Sequence, residues 1–393
     1  MFCTSVVQAS FNTLLSPYLG SVVDLSDAAI GIVASSVAVV ALISRLPIGT
    51  WYRPNRAMLM LASGTLASAL AVTAFGYTEE RAAVILIAVV WGFGWSLATT
   101  IQLALVVHWK PERMTRVSAV SWYAALASIG HASSGFSGFL ADHQGFQVAY
   151  LCLGGLLLVT VASQVVVMAF ERRHSVPAGD GLIEAPAGSG LRSIVRLRGL
   201  TTVVWVGVLL GFQMNVVTGM VKTFQPVLAL AAGLTLTQIS ILHSLTGVGS
   251  GAIRIGSGLA FRKRSMNAER LNTPLVVAGI VAAAVVPAVK GSFAWQVPLF
   301  LTLGLSRGLL RATSTVSAFA PTTTSAEHGR IAAVLHGGLD LGGVVGPALS
   351  GLLAQAIGLD AVFVVIPLFL LLAYRLLEHA AGRNGNQPVP EGS

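Results

Sequence analysis

Arg45-Leu46-Pro47-Ile48-Gly49-Thr50-Trp51-Tyr52-Arg53 follows one long apolar run, and Arg254-Ile255-Gly256-Ser257-Gly258-Leu259-Ala260-Phe261-Arg262 follows another 209 residues later. In each, an arginine opens the segment, a glycine stands one helical turn on, and a second arginine follows one turn after that. Pro17 and Pro226, Ile30 and Ile239, and Ser35 and Ser244 keep the same offset. Farther along, Arg116-Val117-Ser118-Ala119-Val120 matches Arg330-Ile331-Ala332-Ala333-Val334 at an offset of 214. Ser137-Gly138-Phe139-Leu140 matches Ser350-Gly351-Leu352-Leu353 at 213, and Gly145 matches Gly358 at the same spacing. One such match arises readily by chance. Several, in order and at nearly constant offset, point to an internal duplication.

What is duplicated is apolar. Of 393 residues, 54% are apolar and only 10% charged, against about 25% charged in soluble domains. Mean hydropathy is +0.79. One soluble core cannot hide that much apolar surface, so a membrane protein is expected. Segments near the 20 residues a spanning helix needs lie at 2–19, 28–48, 57–76, 82–109, 117–140, 147–170, 201–228, 238–260, 273–289, 295–320, 331–355 and 361–377. The fold class is thus all-α and polytopic, with twelve transmembrane helices in two pseudo-symmetric halves of six. The expected organisation is a first bundle over 1–170, a cytoplasmic linker over 171–199, a second bundle over 200–378 and a cytoplasmic tail over 379–393. No basic stretch precedes the first apolar run, so no removable signal peptide is expected.

Charge sets the orientation. Loops 45–56, 110–116, 171–199, 262–272, 321–330 and the tail from 375 hold 18 of the 24 Lys and Arg residues. The opposite loops hold only Arg81 and Lys290, with Asp24, Asp27, Glu79, Glu80, Asp142 and Asp360. The positive-inside rule then places both termini in the cytoplasm, in a multi-pass cytoplasmic (inner) membrane protein. The net charge of +9 is this loop asymmetry rather than a surface for nucleic acid. There is no Gly-x-x-x-x-Gly-Lys-Ser/Thr phosphate loop and no His-Glu-x-x-His, and Cys3 and Cys152 stand alone in apolar runs. No cofactor, metal site or catalytic group is expected, and the chain does not read as an enzyme.

Two parallel six-helix repeats joined by a linker resemble the major facilitator superfamily over nearly the whole chain. The resemblance implies a secondary transporter with a midplane site between rocking halves. It rests on the layout and on the Gly49/Arg53 and Gly258/Arg262 segments, with Arg45 and Arg254 before them. The family's motif after its second helix is Gly-x-x-x-Asp-Arg-x-Gly-Arg. Here Gly49-Thr50-Trp51-Tyr52-Arg53-Pro54-Asn55-Arg56 lacks the acid and the second glycine. The family's drug/proton antiporters carry Gly-x-x-x-Gly-Pro-x-x-Gly-Gly in the fifth helix. This fifth helix has Gly130-His131-Ala132-Ser133-Ser134-Gly135-Phe136-Ser137-Gly138, without proline. A nearer form, Gly342-Gly343-Val344-Val345-Gly346-Pro347, lies in the eleventh. Gly346 and Pro347 are therefore gating candidates, with close static packing as the alternative.

Charges deep in lipid are costly and point to function. Lys222, Arg307, Arg311 and Asp340 fall inside expected spans. Arg307 and Arg311 share a helix face. If the resemblance holds, that face lines the cavity, where guanidinium groups grip a carboxylate or phosphate. The alternative is a structural Arg311–Asp340 pair, since both lie at similar depth. Asp340, one turn from His336, is the expected proton carrier, with His336 as relay. Gln8, Asn12, Gln102, Gln213 and Asn215 are further substrate-binding candidates on helices expected to line the cavity. His131 and His243 read as satisfied interior histidines, and Trp91 and Trp95 as a pair that could wall an aromatic cavity. The expected function is proton-coupled transport of a small organic solute, possibly anionic, by a monomer whose partners are the solute, protons and lipid. The rival readings are a drug or metabolite efflux antiporter and a non-transporting receptor or scaffold on the same fold.

Overall fold

In lipid, a backbone can satisfy its hydrogen bonds within one spanning segment only as an α-helix, and helices are what the apolar runs form. A computed structural model describes residues 1–51, 56–108, 116–174, 202–260, 268–318 and 325–385. The helices are α1 (Phe2–Ser21), α2 (Asp27–Trp51), α3 (Ala57–Phe75), α4 (Arg81–His108), α5 (Arg116–Ala132) and α6 (Phe136–His174), then α7 (Thr202–Ala231), α8 (Leu236–Ala260), α9 (Ala268–Val285), α10 (Phe293–Ala318), α11 (Ser325–Ile357) and α12 (Leu359–Gly385). A 3-10 turn, Ser133–Gly135, carries α5 into the first residues of α6. Gly145, at φ +84°, then breaks α6 and turns the chain into its sixth pass.

The backbone repeats the duplication seen in the sequence. Gly358, the match of Gly145, has φ +78° and separates α11 from α12. Between α1 and α2, Asp24 has φ +54°; 209 residues on, between α7 and α8, Gly233 has φ +90°. Turns at corresponding places use the same left-handed backbone, which glycine adopts freely and aspartate tolerates.

Nine stretches among the described residues are long and apolar enough to cross a membrane, and one of them, Trp122–Phe170, is folded in two by Gly145. α1 and α8 are not among the nine. Both carry many hydroxyl and amide side chains, and these face protein rather than lipid. Thr4, Ser5, Ser10, Thr13 and Ser16 of α1 are buried, as are Ser240, His243, Ser244 and Ser250 of α8. Ile43, Leu70, Leu86, Val159, Phe170 and Phe369 are the reverse, exposed apolar side chains on outer helices, as a lipid-facing surface requires. Inside the first half, Phe11, Tyr18, Phe75, Trp91 and Tyr150 form a ring cluster with centroids 4.7–6.1 Å apart. The Tyr18 hydroxyl donates to the Thr78 carbonyl at 2.8 Å.

The halves meet along α2 against α11 and α5 against α8, with α1 against α7 between them. Because α2 corresponds to α8 and α5 to α11, the two seams are equivalent under the duplication. Away from the basic loops the seams are tight. A Cβ on Gly31 would lie 2.5 Å from the Pro347 carbonyl oxygen, and one on Gly351 2.6 Å from that of Asp27. A Cβ on Gly138 would strike the Leu236 carbonyl. The Asp142 carboxylate accepts from the N–H of Leu236 at 3.0 Å and of Thr237 at 2.6 Å, and from the Thr237 hydroxyl at 2.6 Å. The first half thus caps the N-terminus of a helix in the second, where carboxylates are favoured.

Candidate functional site

Between the halves lies a cavity of about 220 Å³. α1 contributes Gln8 and Asn12, α4 contributes Trp95, α7 contributes Asn215 and Lys222, and α10 contributes Arg307. Arg45 of α2 and Asp340 of α11 complete the wall towards the basic loops, and Pro347 also borders it. Two pairs of helices that the repeat makes equivalent, α1 with α7 and α4 with α10, therefore line it together.

The charges in this cavity divide into a pair and a surplus. Arg45 Nη1 donates to both Asp340 oxygens, at 2.7 and 2.6 Å, across the seam. The sequence expectation set Asp340 against Arg311; the hydrogen bonds to its oxygens come instead from α2 of the other half. Depth along a helix can be counted from sequence, but which neighbour a helix turns towards is decided by the packing of the halves. Arg311 shares an electrostatic neighbourhood with Arg254, Asp340 and Arg45. Lys222 and Arg307 have no hydrogen-bond or ion-pair partner among the described residues, and each feels positive charge nearby. Two cations on one concave surface, with the local acid already bound to Arg45, can hold an anion.

The other expected site residues separate. Asn215 donates to the Leu339 carbonyl at 2.6 Å, so it ties α7 to α11 as well as facing the cavity. Gln102 is turned to Thr4 of α1, with its Nε2 at 3.4 Å from the hydroxyl, and helps join α4 to α1. Gln213 is buried and borders a separate void of about 40 Å³ within the second half. Arg254, the repeat partner of Arg45, donates to the Ser128 hydroxyl at 3.2 Å on the equivalent seam. Gly346 packs on Val216 of its own half, where a Cβ would come within 2.5 Å of the carbonyl oxygen, while the neighbouring Pro347 meets the other half at Gly31. Gly49 and Gly258 lie within α2 and α8. Arg53, Arg262 and most of the 171–199 linker lie outside the described residues, as does the side chain of His336 on α11.

The histidines are held. His131 Nδ1 lies 2.7 Å from the Ala127 carbonyl and so carries the proton there. For His243 the proton position follows from a chain of contacts. Gln296 Nε2 donates to the Lys290 carbonyl at 2.9 Å, which leaves its Oε1 to accept from Gln225 Nε2 at 2.8 Å. Gln225 Oε1 must then accept from His243 Nε2 at 2.9 Å, by the logic that assigns amide and imidazole orientations from their network. Trp95 stacks on Trp91 with centroids 5.9 Å apart and planes at 28°, and Trp91 rests on Phe11 at 4.7 Å. Of this pair, spaced one helical turn apart, Trp95 reaches the cavity and Trp91 does not.

A polytopic helical bundle of two equivalent halves, with a cavity at their seam, is an architecture of membrane transporters. A model of the Major Facilitator Superfamily matches residues 1–322, and the chain belongs to that family. Comparison with curated proteins gives no match. Among solved structures, the chain is similar to the nucleoside transporter NupG, at 15% identity and a TM-score of 0.71, covering 96% of each chain. It is also similar to a bacterial homolog of the human lysosomal transporter Spinster in an inward-facing, occupied conformation, at 13% identity and a TM-score of 0.73. That match covers 99% of this chain and 96% of the other. At such identities the likeness is one of fold.

Proposed function

We propose that this transporter moves a small organic anion across the cytoplasmic membrane, both termini on the cytoplasmic side, and that it does so with protons. The observation that carries the anion is the pair Lys222 and Arg307, which line the cavity without a partner among the described residues. Uncompensated cations at membrane depth are costly, and a bound carboxylate offsets that cost. A cavity of about 220 Å³ lies below the 300–1,000 Å³ usual for drug-sized ligands, which favours a metabolite over a bulky drug. One chain supplies both halves of the cycle, so a monomer suffices.

Proton coupling is assigned to Asp340. A proton on its carboxylate removes the ion pair with Arg45 and leaves a weaker neutral hydrogen bond, so protonation loosens α2 from α11. His336, one turn nearer the basic loops, is the titratable neighbour through which the proton would pass. The test is the purified chain in proteoliposomes with a pH-sensitive dye inside, presented with organic anions. Anion-dependent proton movement in the wild type, lost in Asp340→Asn, is expected. Anion flux without proton movement would refute the coupling. Binding without any flux would return the chain to the receptor reading.

A further inference from the structure

Two voids meet at Lys222 and Arg307. One is the cavity between the halves. The other is a recess of about 30 Å³ within the second half, bordered by Lys222 of α7, His243 and Thr246 of α8, and Arg307 of α10. About 10–15 Å³ holds one water on this measure, so the recess takes a group the size of a carboxylate and no sugar or ring. None of its lining residues is acidic. His243 is committed through Nε2 to Gln225 and stands in the recess as a wall.

The opposite side of the larger cavity is of another character. Leu15, Ala34, Val37 and Ala38 present carbon with Trp95 among them, and Gln8 and Asn12 of α1 are the polar side chains beside them. Trp91 is 1% exposed and clamps Trp95 from behind, with Phe11 behind it in turn. Trp95 is therefore a fixed flat surface rather than a mobile side chain. The site as a whole has a cationic recess in one half and an aromatic, apolar wall in the other.

We propose that the substrate is an amphipathic monocarboxylate, its head in the recess between Lys222 and Arg307 and a planar apolar body against Trp95. This rests on the reading of the chain as an anion carrier and names the class of anion. A dicarboxylate would find no further free cation among the described residues of the cavity wall, since the remaining arginine there, Arg45, is already held by Asp340. A sugar phosphate would bring a head group larger than a carboxylate to the recess.

The experiment is calorimetric titration of the full chain in lipid nanodiscs with 2-naphthoate, cyclohexanecarboxylate, acetate, succinate and inorganic phosphate. Affinity should fall in the order naphthoate, cyclohexanecarboxylate, acetate. Lys222→Gln and Arg307→Gln should each weaken every carboxylate by roughly tenfold or more, the value of a charge-assisted hydrogen bond. Trp95→Ala should weaken naphthoate by about tenfold, as loss of ring stacking does, and leave acetate within about twofold. Trp95→Phe should keep most of the naphthoate affinity, and an unchanged thermal midpoint shows each variant folded. Succinate or phosphate binding more tightly than naphthoate overturns the inference and leaves the anion carrier standing. So does naphthoate affinity equal to acetate and indifferent to Trp95→Ala. Binding of neutral or cationic solutes, with none of the five anions bound, overturns both.

Discussion

Asp24 holds a left-handed backbone that its repeat partner, Gly233, holds as a glycine. For a residue with a Cβ that conformation costs roughly 1–2 kcal/mol, less for aspartate than for most. Asp24→Gly should therefore raise stability by about 0.5–1 kcal/mol, read as a higher thermal midpoint in detergent. Gly233→Ala should lower it. Gly138→Ala is expected to do more harm than either, because its new methyl meets the Leu236 carbonyl, a backbone atom of the other half. A lowered midpoint and looser packing of the first turns of α6 on α8 are expected; an unchanged midpoint would show that the seam can yield there. At this scale the sequence already marked Lys222 and Arg307, because a charge inside an apolar run has few explanations. It could not choose between core and cavity for Trp95, since periodicity gives a helix face and not what that face meets. For the same reason Gln102 and Gln213 were grouped with Gln8 and Asn12, although Gln102 turns to α1 and Gln213 to a separate void.

The helices repeat more faithfully than the contacts they make. α2–α11 and α8–α5 are equivalent seams, yet the first is crossed by Arg45–Asp340 and the second by Arg254 on the Ser128 hydroxyl. Among the described residues the arginine stands at both seams, with the Asp340 carboxylate on the first and the Ser128 hydroxyl on the second. The Arg45 and Asp340 side chains are 37% and 23% exposed, so the pair lies between a surface bridge and a buried one and should contribute about 1–2 kcal/mol. Asp340→Asn should open the basic-loop side of α2–α11 to a water-soluble thiol reagent directed at cysteines placed along the seam. The charge swap Arg45→Asp with Asp340→Arg should reclose it. If the swap behaves like the single variants, the pair is not the latch. Ser128→Ala should change labelling and stability little, within about 0.5–1 kcal/mol, the worth of one neutral hydrogen bond.

Over the whole molecule, the two-half architecture was legible because duplication, span count and basic loops agree. α1 and α8 are legible as the spans 2–19 and 238–260, although their polar side chains lower the hydropathy that marks the other spans. What the sequence could not supply is which end of the seam is shut, because that depends on two halves fitting one another. Away from the basic loops the seam is shut by Gly31 against Pro347, Gly351 against Asp27, Gly138 against Leu236, and Asp142 capping α8. Alternating access requires these contacts to part in every cycle. They must therefore be good enough to close the site and cheap enough to break. A helix cap is worth about 1 kcal/mol, which suits that demand, whereas the glycine contacts gain only dispersion. Asp142→Ala should then shift the population towards the form open on that side without unfolding the protein. The direct check is a cysteine pair, Asp142→Cys with Thr237→Cys, in a background of Cys3→Ser and Cys152→Ser. Oxidation or a short bifunctional crosslinker should stop transport, and reduction of the disulfide should restore it. Binding to the cavity from the basic-loop side should survive the crosslink. Transport that continues with the pair fully joined would mean that the halves do not separate there, and the rocking motion would have to be sought along another seam.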